Sequence, residues 1–220
     1  MKTFILISGK MRSGKNQFAD FLSIYLMCKG KSVRQDLFAN DLKKGCSEDF
    51  AYMMAQINDQ VSKIKEELCY STIDSKSLEA ANGMLDELTV KHNDNWYENK
   101  TLISRLLLQT YGTQIFRDRV NVNHWVDQVI NRAIECDTDF TLVTDARFEN
   151  EINRVKESCS NKNIRVISIR IERDIPQNNL YTHDSEKGLD NFKGWDYTIN
   201  NDGSFEDLQK HADDIVKQLV

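Results

Sequence analysis

Three features of the 220-residue chain predict an α/β fold with a parallel sheet flanked by helices. An apolar run, Phe4-Ile5-Leu6-Ile7, leads directly into a glycine loop and then a helical pattern. Phe140 to Val143 and Ile164 to Ile171 read as β-rich runs separated by a helical segment, Glu149 to Ser158. That alternation implies parallel strands joined by right-handed crossovers. Lastly, Tyr197-Thr198-Ile199 precedes an amphipathic helical pattern from Ser204 to Leu219, with Ser204 and Asp207 spaced as a capping pair.

The loop after the first strand reads Gly9-Lys10-Met11-Arg12-Ser13-Gly14-Lys15-Asn16. Two glycines let the backbone curl so that successive N–H groups point inward, and the lysine reaches the β- and γ-phosphates of a nucleotide. The helix starting near Lys15 adds its positive dipole end to the same place. Lys10, Arg12 and Lys15 crowd cations onto one loop of a chain whose net charge is −5, and a bound polyanion offsets their repulsion. All eight residues are therefore candidates for ATP binding. Asn16 stands where a Ser or Thr hydroxyl usually meets magnesium, so an amide oxygen becomes the candidate metal ligand there.

Composition limits the alternatives. With 40% hydrophobic residues, the chain suits one sizeable core carrying a helical insertion better than two independent domains. The first apolar run is too short for a secretory leader, and no stretch approaches a membrane span, so a cytoplasmic protein is expected. The five cysteines are widely spaced without a CxxC pair, which suggests neither a disulfide framework nor a zinc site. A pI near 5.5 with no basic block argues against nucleic acid as partner. The oligomeric state is not readable, and a homodimer is left open.

Phe18, Leu22, Tyr25 and Leu26 continue the first helix, and Gly30 is a natural C-terminal stop. Ser32 to Ala39 reads as a second strand, with Asp41 expected to cap a helix starting at Leu42. A polar, helix-biased region follows, in which Phe50, Met53, Met54, Ile57, Val61, Ile64 and Leu68 form a stripe suited to core packing. Residues about 48–94 are read as a helical insertion, broken at Asn82-Gly83 and at His92 to Asn95. Thr101 to Arg117 resumes helical periodicity with Leu102, Leu106, Ile115 and Phe116 on the expected buried side. Arg105, Gln109 and Gly112 share one face. Asn123 can cap a further helix through Ile134.

Ligands of parallel α/β sheets collect at the carboxyl ends of the strands. Asn40 and Lys43 follow the second strand there. Asp145 and Arg147 follow the third: the carboxylate is a candidate for the magnesium shell, the guanidinium for a fork to phosphate oxygens. Arg117 and Arg119 are candidate phosphate contacts or helix-end cations. Arg170 and Arg173 straddle the end of the long strand and introduce a turn-rich segment, about 173–195, read as a lid. Arg173 is the candidate internal arginine finger. His183 needs no acid–base role, because a phosphomonoester is already largely a dianion at neutral pH.

Taken in order, these patches resemble the deoxynucleoside monophosphate kinases of large DNA bacteriophages, members of the P-loop kinase superfamily. The resemblance runs through the Gly9–Asn16 loop, Phe38 to Lys43, Leu107 to Thr113 with Arg117, Trp125 and Thr144 to Phe148. It continues through His183 to Glu186, Gly188 to Asp190 and Tyr197 to Asn201, leaving 48–94 without a counterpart. It implies a P-loop kinase fold over residues 1–220 and transfer of the γ-phosphoryl of ATP, with Mg2+, to a deoxynucleoside monophosphate in the cytoplasm of the host. By the same resemblance Lys15 holds ATP, Asn40 and Lys43 border the acceptor, and Arg147 neutralises phosphate charge. Arg105, Arg117, Arg119 and Glu186 complete the candidate acceptor set. The Gly9 loop and Asp184 to Phe192 also look like the animal-type phosphomevalonate kinases, which stay open as an alternative. An ATP-binding switch that hydrolyses slowly is the alternative of another class.

Overall fold

A computed structural model of the chain describes residues 1–88, 102–174 and 188–220. Five parallel strands form one sheet in the order β2-β3-β1-β4-β5: β1 (Lys2–Gly9), β2 (Val33–Asp36), β3 (Phe140–Val143), β4 (Ile164–Glu172) and β5 (Tyr197–Asn200). Central β1 pairs Leu6 with Val143 on one side and Ile5 with Ile167 on the other. Both faces of β1 are covered, so it reads as an unbroken apolar run rather than an alternating one. Ile5, Ile7, Leu142 and Ile169 pack under Phe18 and Leu22 of α1 (Lys15–Cys28) and under Leu208 and Ala212 of α7 (Phe205–Leu219). Phe4, Leu6 and Val143 pack on the opposite face. There they meet Val126 and Ile130 of α5 (His124–Glu135) and Ile152 and Val155 of α6 (Glu149–Cys159).

The chain divides into two compact units, Met1–Ala39 with Asn123–Val220, and Asn40–Val122. The first holds the sheet. From β1 the chain leaves towards β2, whereas from β4 it leaves towards β5, so a topological switch lies at the carboxyl ends of β1 and β4. In open α/β sheets that is where ligands bind. The cap of α7 forms as its spacing predicts: Ser204 Oγ accepts from Asp207 N–H at 3.1 Å, and the Asp207 carboxylate accepts from Ser204 N–H at 2.9 Å.

The second unit is helical and extends beyond the expected 48–94 insertion on both sides. It comprises nearly all of α2 (Ala39–Cys69), then α3 (Ser75–Leu88), α4 (Leu102–Gln109) and a π-helical stretch, Thr110–Arg117. Tyr111 anchors it. Its hydroxyl donates to Asp49 at 2.6 Å, and its ring lies 5.5 Å from that of Phe50 and 4.8 Å from that of Phe116. A Cβ at Gly45 would come 2.7 Å from the Tyr111 hydroxyl, and one at Gly112 would collide with Leu42. Burial, reinforced by the Asp49 charge, pushes the Cys46 thiol up to about 12.

Several local expectations change. The helix expected to start at Leu42 under Asp41 begins at Ala39, because a distant carboxylate, that of Asp145, takes the N–H groups of Phe38 and Ala39. Asn82-Gly83 does not break α3, which runs through both residues. The regular period expected from Thr101 to Arg117 widens into π-helix at Thr110, where Leu42 comes too close to Gly112 to leave room for a side chain there. Leu106, expected on the buried side, is exposed, and Leu107 and Ser104 are buried instead. His92 to Asn95 lie outside the described residues.

Candidate active site

The loop between β1 and α1 is shaped by its glycines. Gly14 has φ +92° and caps α1 without a side-chain hydrogen bond, and the helix has no acid in its first turn. The N-cap residue thus offers no side-chain oxygen to the start of α1, and the first turn adds no negative charge there. A Cβ at Gly14 would collide with the Asn201 amide; one at Gly9 would collide with Ser13 Oγ and lie 2.7 Å from the Ile171 carbonyl oxygen. Asn201, just past β5, holds the loop from below: its side-chain N–H donates to the Ser13 carbonyl at 2.8 Å and its backbone N–H to that of Glu172 at 2.7 Å. Arg12 is left-handed at φ +66°, a strained conformation for a residue with a side chain and one that collects at ligand-binding loops. Ser13 Oγ is buried without a hydrogen-bond partner among the described residues.

Lys15 lies at the start of α1, half-buried, with its ammonium 3.3 Å from the Lys10 carbonyl oxygen. It lines a pocket with Ser8, Gly9, Ala146, Arg147, Arg170 and Leu189. β1 delivers Ser8 and Gly9 to this pocket, the turn after β3 delivers Ala146 and Arg147, and β4 delivers Arg170. The β3 turn is fixed by α6: the buried Glu151 carboxylate accepts from Arg147 N–H at 2.7 Å and from Phe148 N–H at 3.0 Å. Asp145 accepts from Phe38 N–H at 2.8 Å and from Ala39 N–H at 2.9 Å. Burial raises its pKa above the ordinary aspartate value, opposed by those two N–H donors and by Arg147.

The predicted residues thus separate by location. The loop Gly9 to Asn16 and Arg147 belong to the sheet unit, with Lys15, Gly9 and Arg147 meeting in one pocket. Asn16 is exposed on the first turn of α1, and Arg173 is exposed directly after β4. Asn40, Lys43, Arg117 and Arg119 belong to the helical unit, where Asn40 and Arg119 are exposed and Lys43 and Arg117 are half-buried. Arg105 lies on α4, and nothing is described of its side chain. Glu186 and His183 lie outside the described residues.

Two groups named in the sequence reading were given no site role there. Arg170 is only 8% exposed, and its guanidinium donates to Ser8 Oγ at 3.2 Å and to Asp190 at 3.2 Å. Asp190 also pairs with Lys10 of the loop at 3.3 Å. The available signal was period two: Ile167, Ile169 and Ile171 alternate with Ser168 and Arg170, so Arg170 points to the opposite face from the isoleucines. Gly188-Leu189-Asp190 was legible only as part of the resemblance. A Cβ at Gly188 would lie 2.6 Å from the Arg147 carbonyl oxygen, so only a glycine lets Leu189 reach the core and Asp190 the cations.

Among the described residues no helix is long and apolar enough to cross a membrane, and no three His, Cys, Asp or Glu side chains cluster to hold a metal. No curated protein matches the sequence. A solved structure of an APS kinase mutant from Mycobacterium tuberculosis is similar over 99% of this chain and 96% of its own, at 10% identity and a TM-score of 0.40. The family model for deoxynucleotide monophosphate kinase matches residues 46–212, most of the length, and the chain belongs to that family.

Proposed function

We propose that the γ-phosphoryl of ATP is transferred to a deoxynucleoside monophosphate in the pocket at the carboxyl ends of β1, β3 and β4. The activity itself is that of the family, whose match begins after the Gly9–Asn16 loop. The assignment of the pocket therefore rests on geometry. The observation that carries it is the convergence of Lys15 and Arg147 beside a helix N-terminus with no side-chain cap and no acid in its first turn.

An oxygen of the acceptor phosphate, already a dianion, attacks the γ-phosphorus. The bond from that phosphorus to the β,γ-bridging oxygen breaks, and ADP leaves with the electron pair. No side chain has to take a proton. Gly9 to Asn16 wraps the donor phosphates with backbone N–H groups, Lys15 offsets the charge on the transferring group, and Arg147 offers a planar fork to phosphate oxygens. Arg173, at the start of the segment after β4, remains a proposed mobile cation. Asn40, Lys43, Arg105, Arg117, Arg119 and Glu186 remain the proposed acceptor contacts.

Magnesium is the ion the reading calls for, and its proposed ligands Asn16 and Asp145 lie outside the lining of the Lys15 pocket. The ion keeps several waters and takes most of its ligands from phosphates, so the exposed Asn16 amide and the Asp145 carboxylate, through lone pairs not used by Phe38 and Ala39, are the groups that would hold its shell. When bound, it neutralises charge on the β- and γ-phosphates. The reading assigns the protein to a cytoplasm supplied with ATP.

The direct test is ADP release with MgATP across the four deoxynucleoside monophosphates, their ribose forms and mevalonate phosphate. Turnover with one or more deoxynucleotides is expected. Turnover with mevalonate phosphate alone contradicts the acceptor assignment.

A further inference from the structure

We infer that Arg170, on β4, is a catalytic residue of the transfer, contacting the transferring phosphoryl group from the floor of the pocket. This rests on the site assigned above. Three observations carry it. Arg170 is a cation nine-tenths buried within a sheet strand, and it lines the same pocket as Lys15 and Arg147. Burying a guanidinium is costly, and a strand position in a parallel sheet is normally given to an apolar side chain. A lone structural ion pair is weak compensation for that cost.

The contacts around Arg170 also leave capacity for a ligand. A guanidinium carries five N–H donors in a rigid fork. Ser8 Oγ and one Asp190 oxygen occupy two sides of the group, and the Trp195 ring lies 5.9 Å from its carbon. These fix the plane of the fork while donors remain for phosphate oxygens on the pocket side. Arg173, by contrast, is exposed beyond the end of β4. During transfer the acceptor oxygen–phosphorus bond forms as the phosphorus–bridging oxygen bond breaks, and negative charge spreads over the equatorial oxygens. A fixed bidentate donor stabilises that charge without reorganising.

Asp190 is then a positioning residue. Its carboxylate bridges Arg170 and Lys10, holding the fork in plane and tying it to the loop that wraps the donor.

The test compares Arg170→Met and Arg170→Lys with the parent enzyme in kcat, in KM for both substrates, and in calorimetric binding of inorganic tripolyphosphate, which needs no turnover. Lys217→Met, on α7 and paired with Asp213 and Asp214, controls for loss of one charge. Arg170→Met is expected to lower kcat about a hundredfold or more and to weaken tripolyphosphate about tenfold, with Lys217→Met unchanged in both. Arg170→Lys keeps the charge but loses the fork, and is expected to lower kcat at least about tenfold. If Arg170→Met does not fold, Arg170→Lys decides. Asp190→Asn should lower kcat without weakening tripolyphosphate, a split that simple loosening of the fold would not produce. Parent-like kcat in a folded Arg170 variant of an active enzyme overturns the inference and leaves the site assignment standing. An inactive parent enzyme that still binds tripolyphosphate through Arg170 overturns the catalytic role and the site's assigned reaction together, leaving only an anion site.

Discussion

At the scale of single residues, the loop tolerates little change because conformation and space restrict it together. Gly14 needs its positive φ, and the Asn201 amide fills the place where a Cβ would stand. Gly14→Ala therefore costs about 1–2 kcal/mol for the left-handed backbone alone, more as Asn201 is displaced, and it disturbs the loop proposed to hold the donor phosphates. A lowered melting temperature together with lost turnover is expected; a parent-like value of either contradicts this account of the loop. Lys15 and Gly9 were legible in the sequence because their spacing states a mechanism. Arg170 was not selected, since an arginine near a strand end is ordinary until its burial is known. Asp190 was invisible as a partner because Lys10 and Arg170 lie far from it along the chain.

Elements are held by capping interactions that differ in how far they reach. The Ser204–Asp207 box is local and could be read from spacing three. Asp145 acts across more than a hundred positions, so Asp41, the nearer acid, was the natural but incorrect choice to cap α2. Asp145→Ala leaves the N–H groups of Phe38 and Ala39 without their acceptor and is expected to cost about 2 kcal/mol in urea unfolding; an unchanged midpoint contradicts that role. The two aspartates also titrate in opposite directions. The Ser204 backbone and hydroxyl hold Asp207 below the ordinary 3.8. Its stabilisation is thus present above that value and fades as pH falls through the lower folded pKa. Asp145 is raised by burial, so its linked stability is present below the ordinary value and is lost as pH rises through the folded one. Asp207→Asn should accordingly flatten the loss of stability as pH falls through and below the ordinary 3.8, measured by urea unfolding at each pH. An undiminished slope contradicts the assignment.

At the scale of the molecule, strand order decides where chemistry can occur. β1 lies between β3 and β4, so one short loop, one turn and one strand end bring Gly9, Arg147 and Arg170 together from distant parts of the sequence. The parallel sheet was readable because β1 carries a continuous apolar run and because the β-rich runs of β3 and β4 are separated by the helical period of α6. The extent of the helical unit was not, since α2 starts at the boundary residue Ala39, ahead of the expected insertion, and the Leu42–Gly112 approach lies within no local window. The claim that unites these scales is that the Lys15 pocket moves a phosphoryl group onto a nucleotide. Following the γ-phosphorus of MgATP by phosphorus NMR, with a deoxynucleoside monophosphate present, tests it most directly. The account predicts that the signal becomes the β-phosphate of a deoxynucleoside diphosphate, and that Lys15→Ala, still folded, slows this by about a hundredfold or more. Conversion to inorganic phosphate at a rate indifferent to the acceptor, or undiminished transfer by the Lys15 variant, would contradict it.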